Sequence, residues 1–177
     1  MTLVYILIAV MLLLLIAAVF VKRDFVVQRQ LDIPKDPQEI FSFIKYLNNH
    51  KYFSKWVTKH AIDTTDTRGR DGTVGFIQPW NNYRDKAGIG ELEIKAFTEN
   101  EKVHLLHHYF KPIKGLGESE IIIRQNGHSG SLVKWQYTGH TKYPFNLITS
   151  MLNMDKIVGK DLDQCLNRLK EKLTILK

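Results

Sequence analysis

The sequence predicts an α+β chain: one apolar N-terminal helix, then a seven-stranded antiparallel sheet packed on a single long C-terminal helix. Three patterns predict it. Leu3 to Val21 carries no charge and is closed by Lys22-Arg23-Asp24. Residues 60–140 alternate apolar and polar between turn signals. From about Pro144 to Leu176 the apolar positions recur at helical spacing.

The apolar run has the length of a membrane span. At about 1.5 Å per helical residue, about twenty residues cover about 30 Å, the hydrocarbon thickness of a bilayer. Only a helix satisfies its own backbone groups in lipid. Residues 1–23 are therefore expected to be a transmembrane anchor, and 24–177 the domain it carries. A cleaved signal peptide has a basic n-region, a shorter apolar stretch and a small-x-small site. Met1-Thr2 adds no side-chain charge, and Ala17-Ala18 runs on into Val19-Phe20-Val21. A core helix needs partners on every face, and the rest of the chain offers none. Lys22, Arg23 and Arg29 follow the run, with no Lys or Arg before it. The positive-inside rule then gives a single-pass protein with its C-terminal domain in the cytoplasm. The single Cys165 agrees, because it cannot form an intrachain disulfide.

The net charge of +7 lies outside the run. Its 25 Lys and Arg are scattered among 18 acids rather than grouped, which disfavours nucleic acid as a partner. A tethered basic surface does gain about 1 kcal/mol per well-placed Lys or Arg near anionic headgroups. No repeat, low-complexity stretch or Pro/Gly/Ser linker is present, so the span enters the domain almost directly.

The elements follow in order. Phe25, Val27, Arg29, Leu31 and Ile33 alternate with Val26, Gln28, Gln30 and Asp32, a strand with one apolar face. Asp36, Pro37 and Glu39 supply an N-cap, a first-turn proline and a capping box. The helix presents Ile40, Phe41, Ile44 and Leu47. Asn48-Asn49 interrupts it, and a second short helix is expected through Tyr52 and Phe53 to Trp56. Six strands follow, with a turn at Arg68-Gly69-Arg70-Asp71-Gly72. Val74, Phe76, Gln78 and Trp80 share one strand face, and Leu92, Ile94 and Ala96 another. Val103 to Phe110, then Ser119, Ile121 and Ile123, lead to the turn at Asn126-Gly127-His128-Ser129-Gly130. Val133, Trp135 and Tyr137 close the meander, with the first strand joining its edge. The last helix buries a stripe of Val158, Leu162, Cys165, Leu166, Leu169, Leu173 and Leu176.

These pieces together resemble the SRPBCC superfamily, in its polyketide cyclase/dehydrase-like branch. The resemblance spans nearly all of 25–177. It rests on Ile33-Pro34 with Pro37-Gln38-Glu39-Ile40-Phe41, on Asn49 to Trp56, and on Gly72-Thr73-Val74-Gly75 with Trp80. Gly88 with Gly90-Glu91, Val133-Lys134-Trp135 with Gly139, and Gly159-Lys160-Asp161-Leu162 complete it. It implies a START-like helix-grip fold, a curved sheet around the C-terminal helix. It also implies a cavity between them that takes a lipid, isoprenoid or polyketide-like molecule.

Alternation points Phe76, Gln78, Trp80, Leu92, Ile94, Ile121, Ile123, Trp135 and Tyr137 inward. Of these, Phe76, Gln78, Trp80, Ile94, Ile121, Trp135 and Tyr137 are expected ligand contacts, together with His107 and Tyr109. Gln78 and Tyr137 are the polar handles, unless Tyr137 simply bonds a backbone group of the core. His104 and His108 share one strand face and His107 the other, so no metal is expected. Which histidine points inward stays open, because Leu105 and Leu106 leave both faces apolar.

No catalytic motif stands out. Gly127-His128-Ser129-Gly130 is one residue short of a nucleophile elbow. Gly115-Leu116-Gly117 and Gly88-Ile89-Gly90 lack the third glycine and helix of a dinucleotide site. They fit bends or bulges better, and no cofactor is expected. Gly159 points to close packing of its helix against the sheet or a ligand, and Cys165 to an inert buried thiol. The expected function is membrane-anchored binding or transport of an apolar small molecule. A cyclase, dehydratase or hydrolase using His107, Tyr109, Tyr137 or Gln78 as its acid-base group is the alternative, and a ligand-free adaptor the third.

Overall fold

A computed structural model describes residues 1–57, 66–82, 88–127 and 130–175. Helix α1 (Thr2–Phe20) precedes strand β1 (Asp24–Ile33) and helices α2 (Pro37–Ile44) and α3 (Leu47–His50). Strands β2 (Ile77–Asn82), β3 (Gly88–Thr98), β4 (Lys102–Lys111), β5 (Gly115–Asn126) and β6 (Gly130–His140) follow. Helices α4 (Asn146–Met151) and α5 (Met154–Ile175) close the order. The strands form one antiparallel sheet in the order β1-β6-β5-β4-β3-β2, so β1 joins the edge of the meander as expected.

The sheet has six strands rather than seven among the described residues. Ahead of the Arg68–Gly72 turn only a bridge between Arg68 and Ile77 remains; residues 60–65 of the expected strand lie outside the described set. Gly69, Gly72 and Gly75 all take positive φ, which turns the chain repeatedly through this stretch. For the same reason Val74 is exposed and outside the strand, and β2 starts only at Ile77. His128 and Ser129 of the β5–β6 turn, and Leu176, also lie outside the described residues.

The helices differ from expectation in three places. Asp36 makes no side-chain cap bond, and Glu39 pairs with Lys35 at 2.7 Å instead of closing a capping box. The helix expected to reach Trp56 stops at His50, where Tyr52 and Phe53 N–H groups turn back three residues to Asn49 and His50 carbonyls. The long final helix begins at Met154 rather than Pro144. Leu152 is extended, and the Asn153 side chain accepts the Lys156 N–H at 2.9 Å as an N-cap.

Helix α5 lays Leu162, Cys165, Leu166, Leu169 and Leu173 onto the sheet, where they join Phe41, Phe53, Trp80, Ile94, Leu105, Ile121 and Trp135 in one core. Asp155, Gly159 and Asp163 are spaced by four and share a helix face. Arg29 of β1 pairs with both acids, at 2.9 and 3.3 Å, and its guanidinium fills the space a Gly159 side chain needs. Gly159 thus serves close packing, against a side chain rather than backbone. Lys55 pairs with Asp161 to fasten the segment after α3 to the same helix.

The glycines of β3 bend the sheet. The β3–β4 register shifts between Ile89 and Gly90. A Cβ on Gly90 overlaps the His108 carbonyl and the Trp80 ring. Gly90→Ala is expected to cost about 2–3 kcal/mol, since this backbone cannot yield as a flexible side chain can. A lowered urea midpoint at unchanged slope is the readout.

Helix α1 is long and apolar enough to cross a membrane, and Ala18 is its only buried residue. Its last turn is bonded to the segment around α4. Asn146 Nδ2 donates to the Ala18 and Val21 carbonyls at 2.7 and 2.9 Å, and the Tyr143 hydroxyl to the Leu15 carbonyl at 3.2 Å.

Candidate ligand-binding site

The paired ends of β1, β5 and β6 nearest α1 border a cleft of about 460 Å³. Phe25 of β1, Tyr109 of β4 and Tyr137 of β6 line its sheet side. Ile113 of the β4–β5 turn and Leu116 at the start of β5 line it together with Tyr143, Phe145, Thr149 of α4 and Met154. Lys114 and Lys142 are its exposed cations, and no carboxylate lines it among the described residues. Two glycines make the room. Gly117 and Gly139 are direct partners across β5 and β6; side chains there overlap the Tyr137 and Phe25 rings.

The polar floor is a pair of phenols. Tyr109 Oη and Tyr137 Oη are 3.0 Å apart. Burial raises both pKa values above the usual phenol range, so both stay protonated at neutral pH. One hydroxyl donates to the other, which leaves the pair one proton to offer a ligand oxygen.

Behind the phenols stands an aromatic wall. His107 stacks on Tyr109 with centroids 6.0 Å apart, and Trp56 stacks on Tyr137 at the same separation. Trp80 meets both His107 and Tyr109 edge-on. His107 Nε2 bonds Ser119 Oγ at 2.8 Å, and its Nδ1 has no partner among the described residues. Burial, helped by nearby His50 and His108, lowers the His107 pKa to about 3, so the ring is neutral. Strand direction settles the question of the three histidines: His107 faces the core, while His104 and His108 pair with Glu118 and Glu93 on the other face. No group of three potential metal ligands occurs among the described residues.

Of the nine expected contacts, Tyr109 and Tyr137 line this cleft, and His107 and Trp80 pack directly behind them. Phe76, Gln78, Ile94, Ile121 and Trp135 are buried further along the core. Gln78 Nε2 donates to Asn48 Oδ1 at 3.0 Å, while its Oε1 has no partner among the described residues. Tyr137 bonds a second phenol rather than a backbone group. Cys165 is buried, with its thiol pKa pushed up to about 12 by desolvation, which disfavours the reactive thiolate. Sequence reasoning missed Phe25, Ile113, Leu116, Tyr143, Phe145 and Met154. The run Tyr143-Pro144-Phe145, apolar yet off the α5 stripe, was the available signal.

No known family profile matches the sequence, and no curated protein is similar to it. Solved structures are similar in shape. Norcoclaurine synthase from Thalictrum flavum, determined with dopamine and hydroxybenzaldehyde, superposes with a TM-score of 0.61 at 12% identity, covering 92% of each chain. Ara h 8.0201 gives 0.57 at 14% identity, over 85% of this chain and 98% of that one. Aha1 from Colwellia psychrerythraea gives 0.50 at 13% identity, over 78% and 90%. Likeness at such identities establishes architecture alone: the chain shares the helix-grip fold of these structures.

Proposed function

We propose that this chain is a membrane-anchored binding module for an apolar small molecule, of the polyketide cyclase/dehydrase-like kind. Residues 1–23 are the anchor and 24–177 the binding domain, on the cytoplasmic side of a single span. One observation carries the reading: the apolar cleft lies at the end of the sheet where α1 enters. Its volume of about 460 Å³ is that of a small-molecule site, with few polar groups to fix orientation. The phenol pair suits a ligand with one acceptor oxygen on an oily body, such as a lipid, isoprenoid or polyketide. The seven other expected contacts, Phe76, Gln78, Trp80, Ile94, His107, Ile121 and Trp135, are buried behind Tyr109 and Tyr137 and support them. The cations around the cleft face headgroups rather than nucleic acid.

An enzymatic reading has one observation in its favour, the proton held by the phenol pair. It lacks a base: His107 is bonded to Ser119 and resists protonation, and no described carboxylate reaches the cleft.

The test is extraction of the full chain purified in mild detergent, with mass spectrometry of what it retains. A stoichiometric apolar compound is expected; its absence, with no saturable binding of a fluorescent fatty acid, overturns the reading. Tyr137→Phe leaves one phenol and is expected to weaken fatty-acid binding about fivefold, the worth of about 1 kcal/mol for one hydrogen bond.

A further inference from the structure

We propose that α4 and the β4–β5 turn form a foot that sits in the lipid interface, so that the cleft opens onto acyl chains rather than water. This rests on the reading of α1 as a span and adds a second membrane contact to it.

The geometry sets the depth. Leu15 precedes Lys22 by seven residues, about 10 Å along a helix axis. With Lys22 and Arg23 at the headgroups, the Leu15 carbonyl lies that far inside the bilayer. The Tyr143 hydroxyl donates to that carbonyl, so the end of the Tyr143 ring shares its depth. Asn146, wholly buried, holds the start of α4 on the Ala18 and Val21 carbonyls. Thr141 N–H bonds the Arg23 carbonyl at 2.8 Å, which sets Lys142 beside the basic flank.

The surface chemistry agrees. Helix α4, Asn146–Met151, has no charged residue. Its flank and outer face expose Phe145, Ile148, Met151 and Leu152, Met151 by 81%. Ile113, 63% exposed, and Leu116 line the same cleft. An apolar patch of this kind on a soluble surface marks a contact, and this one is continuous with the apolar surface of α1. Lys114 and Lys142 edge it as headgroup partners. Interfacial helices commonly enter about 5–10 Å into the headgroup and acyl boundary, the depth α1 dictates here.

The experiment uses the full chain in nanodiscs of phosphatidylcholine with phosphatidylglycerol. Met151→Cys, Leu12→Cys and Glu99→Cys carry an environment-sensitive thiol fluorophore, and the buried native Cys165 stays unlabelled. Glu99 sits at the β3–β4 turn, the opposite end of the sheet. Lipids bearing a nitroxide on the acyl chain are expected to quench most of the Met151→Cys and Leu12→Cys signal and leave Glu99→Cys unchanged. Quenching at Leu12→Cys without quenching at Met151→Cys overturns the foot while the span stands. Quenching at neither position overturns both. Labelled Met151→Cys that is unquenched, with the unlabelled variant forming a disulfide to a second copy, assigns the face to self-association and also overturns the foot.

Discussion

Trp135→Ala is expected to remove about 3–5 kcal/mol of stability, a large part of the about 5–15 kcal/mol that holds a typical domain. Trp135 sits mid-strand on β6, opposite Arg29 of β1 and Ile121 of β5, and is 1% exposed. Its ring meets Phe53 at 5.9 Å and Trp56 at 6.2 Å, so one side chain joins the sheet to the segment after α3. The indole N–H has no partner among the described residues, so the loss is one of packing rather than hydrogen bonding. Urea unfolding of the full chain in detergent, followed by near-ultraviolet circular dichroism, measures it. Trp135→Phe keeps a ring in place and is expected to lose much less. Equal, small losses in both variants count against a tightly packed aromatic interior.

Acid is expected to destabilise the fold through two buried histidines. The His50 ring is wholly buried, donates from Nε2 to the Ile44 carbonyl at 2.8 Å, and has its pKa lowered to about 4 by burial. His107 is lowered further, to about 3, for the same reason. In the unfolded chain both return to about 6.5. Between those values the unfolded state binds more protons than the folded one, so stability is full above about pH 6.5 and falls with pH below it. At about pH 5 each histidine accounts for about 2 kcal/mol of lost stability, about 4 kcal/mol together. Urea midpoints at about pH 7.5 and about pH 5 read the difference. His107→Gln removes its own share, so about half of the acid sensitivity should disappear with it. A midpoint independent of pH in that range contradicts neutral, buried rings.

Much of the architecture was legible because period carries it. Alternation in β1, β3 and β6 and the stripe on α5 each have one buried face, and burial fixes register. The errors fall where local chemistry outweighs period. Asn153 cuts the final helix with its side chain, and three left-handed glycines dissolve the expected strand around Val74. In the floor of the site, alternation points Tyr137 inward and Tyr109 is an expected contact, but their pairing across β5 was not foreseen. The rim was not legible. Phe25, Ile113 and Phe145 come from three distant segments, and Gly117 and Gly139 make room for the Tyr137 and Phe25 rings at the floor. A cleft assembled from strand ends and turns leaves no periodic trace in any one strand.

Val21, Lys22 and Arg23 are all that separates α1 from β1. With α1 in a bilayer, so short a leash rules out a ferry that carries cargo across the cytosol. On the proposed reading, the domain draws from, and returns to, the leaflet beneath it, and delivery elsewhere requires the receiving membrane to come within one domain's height.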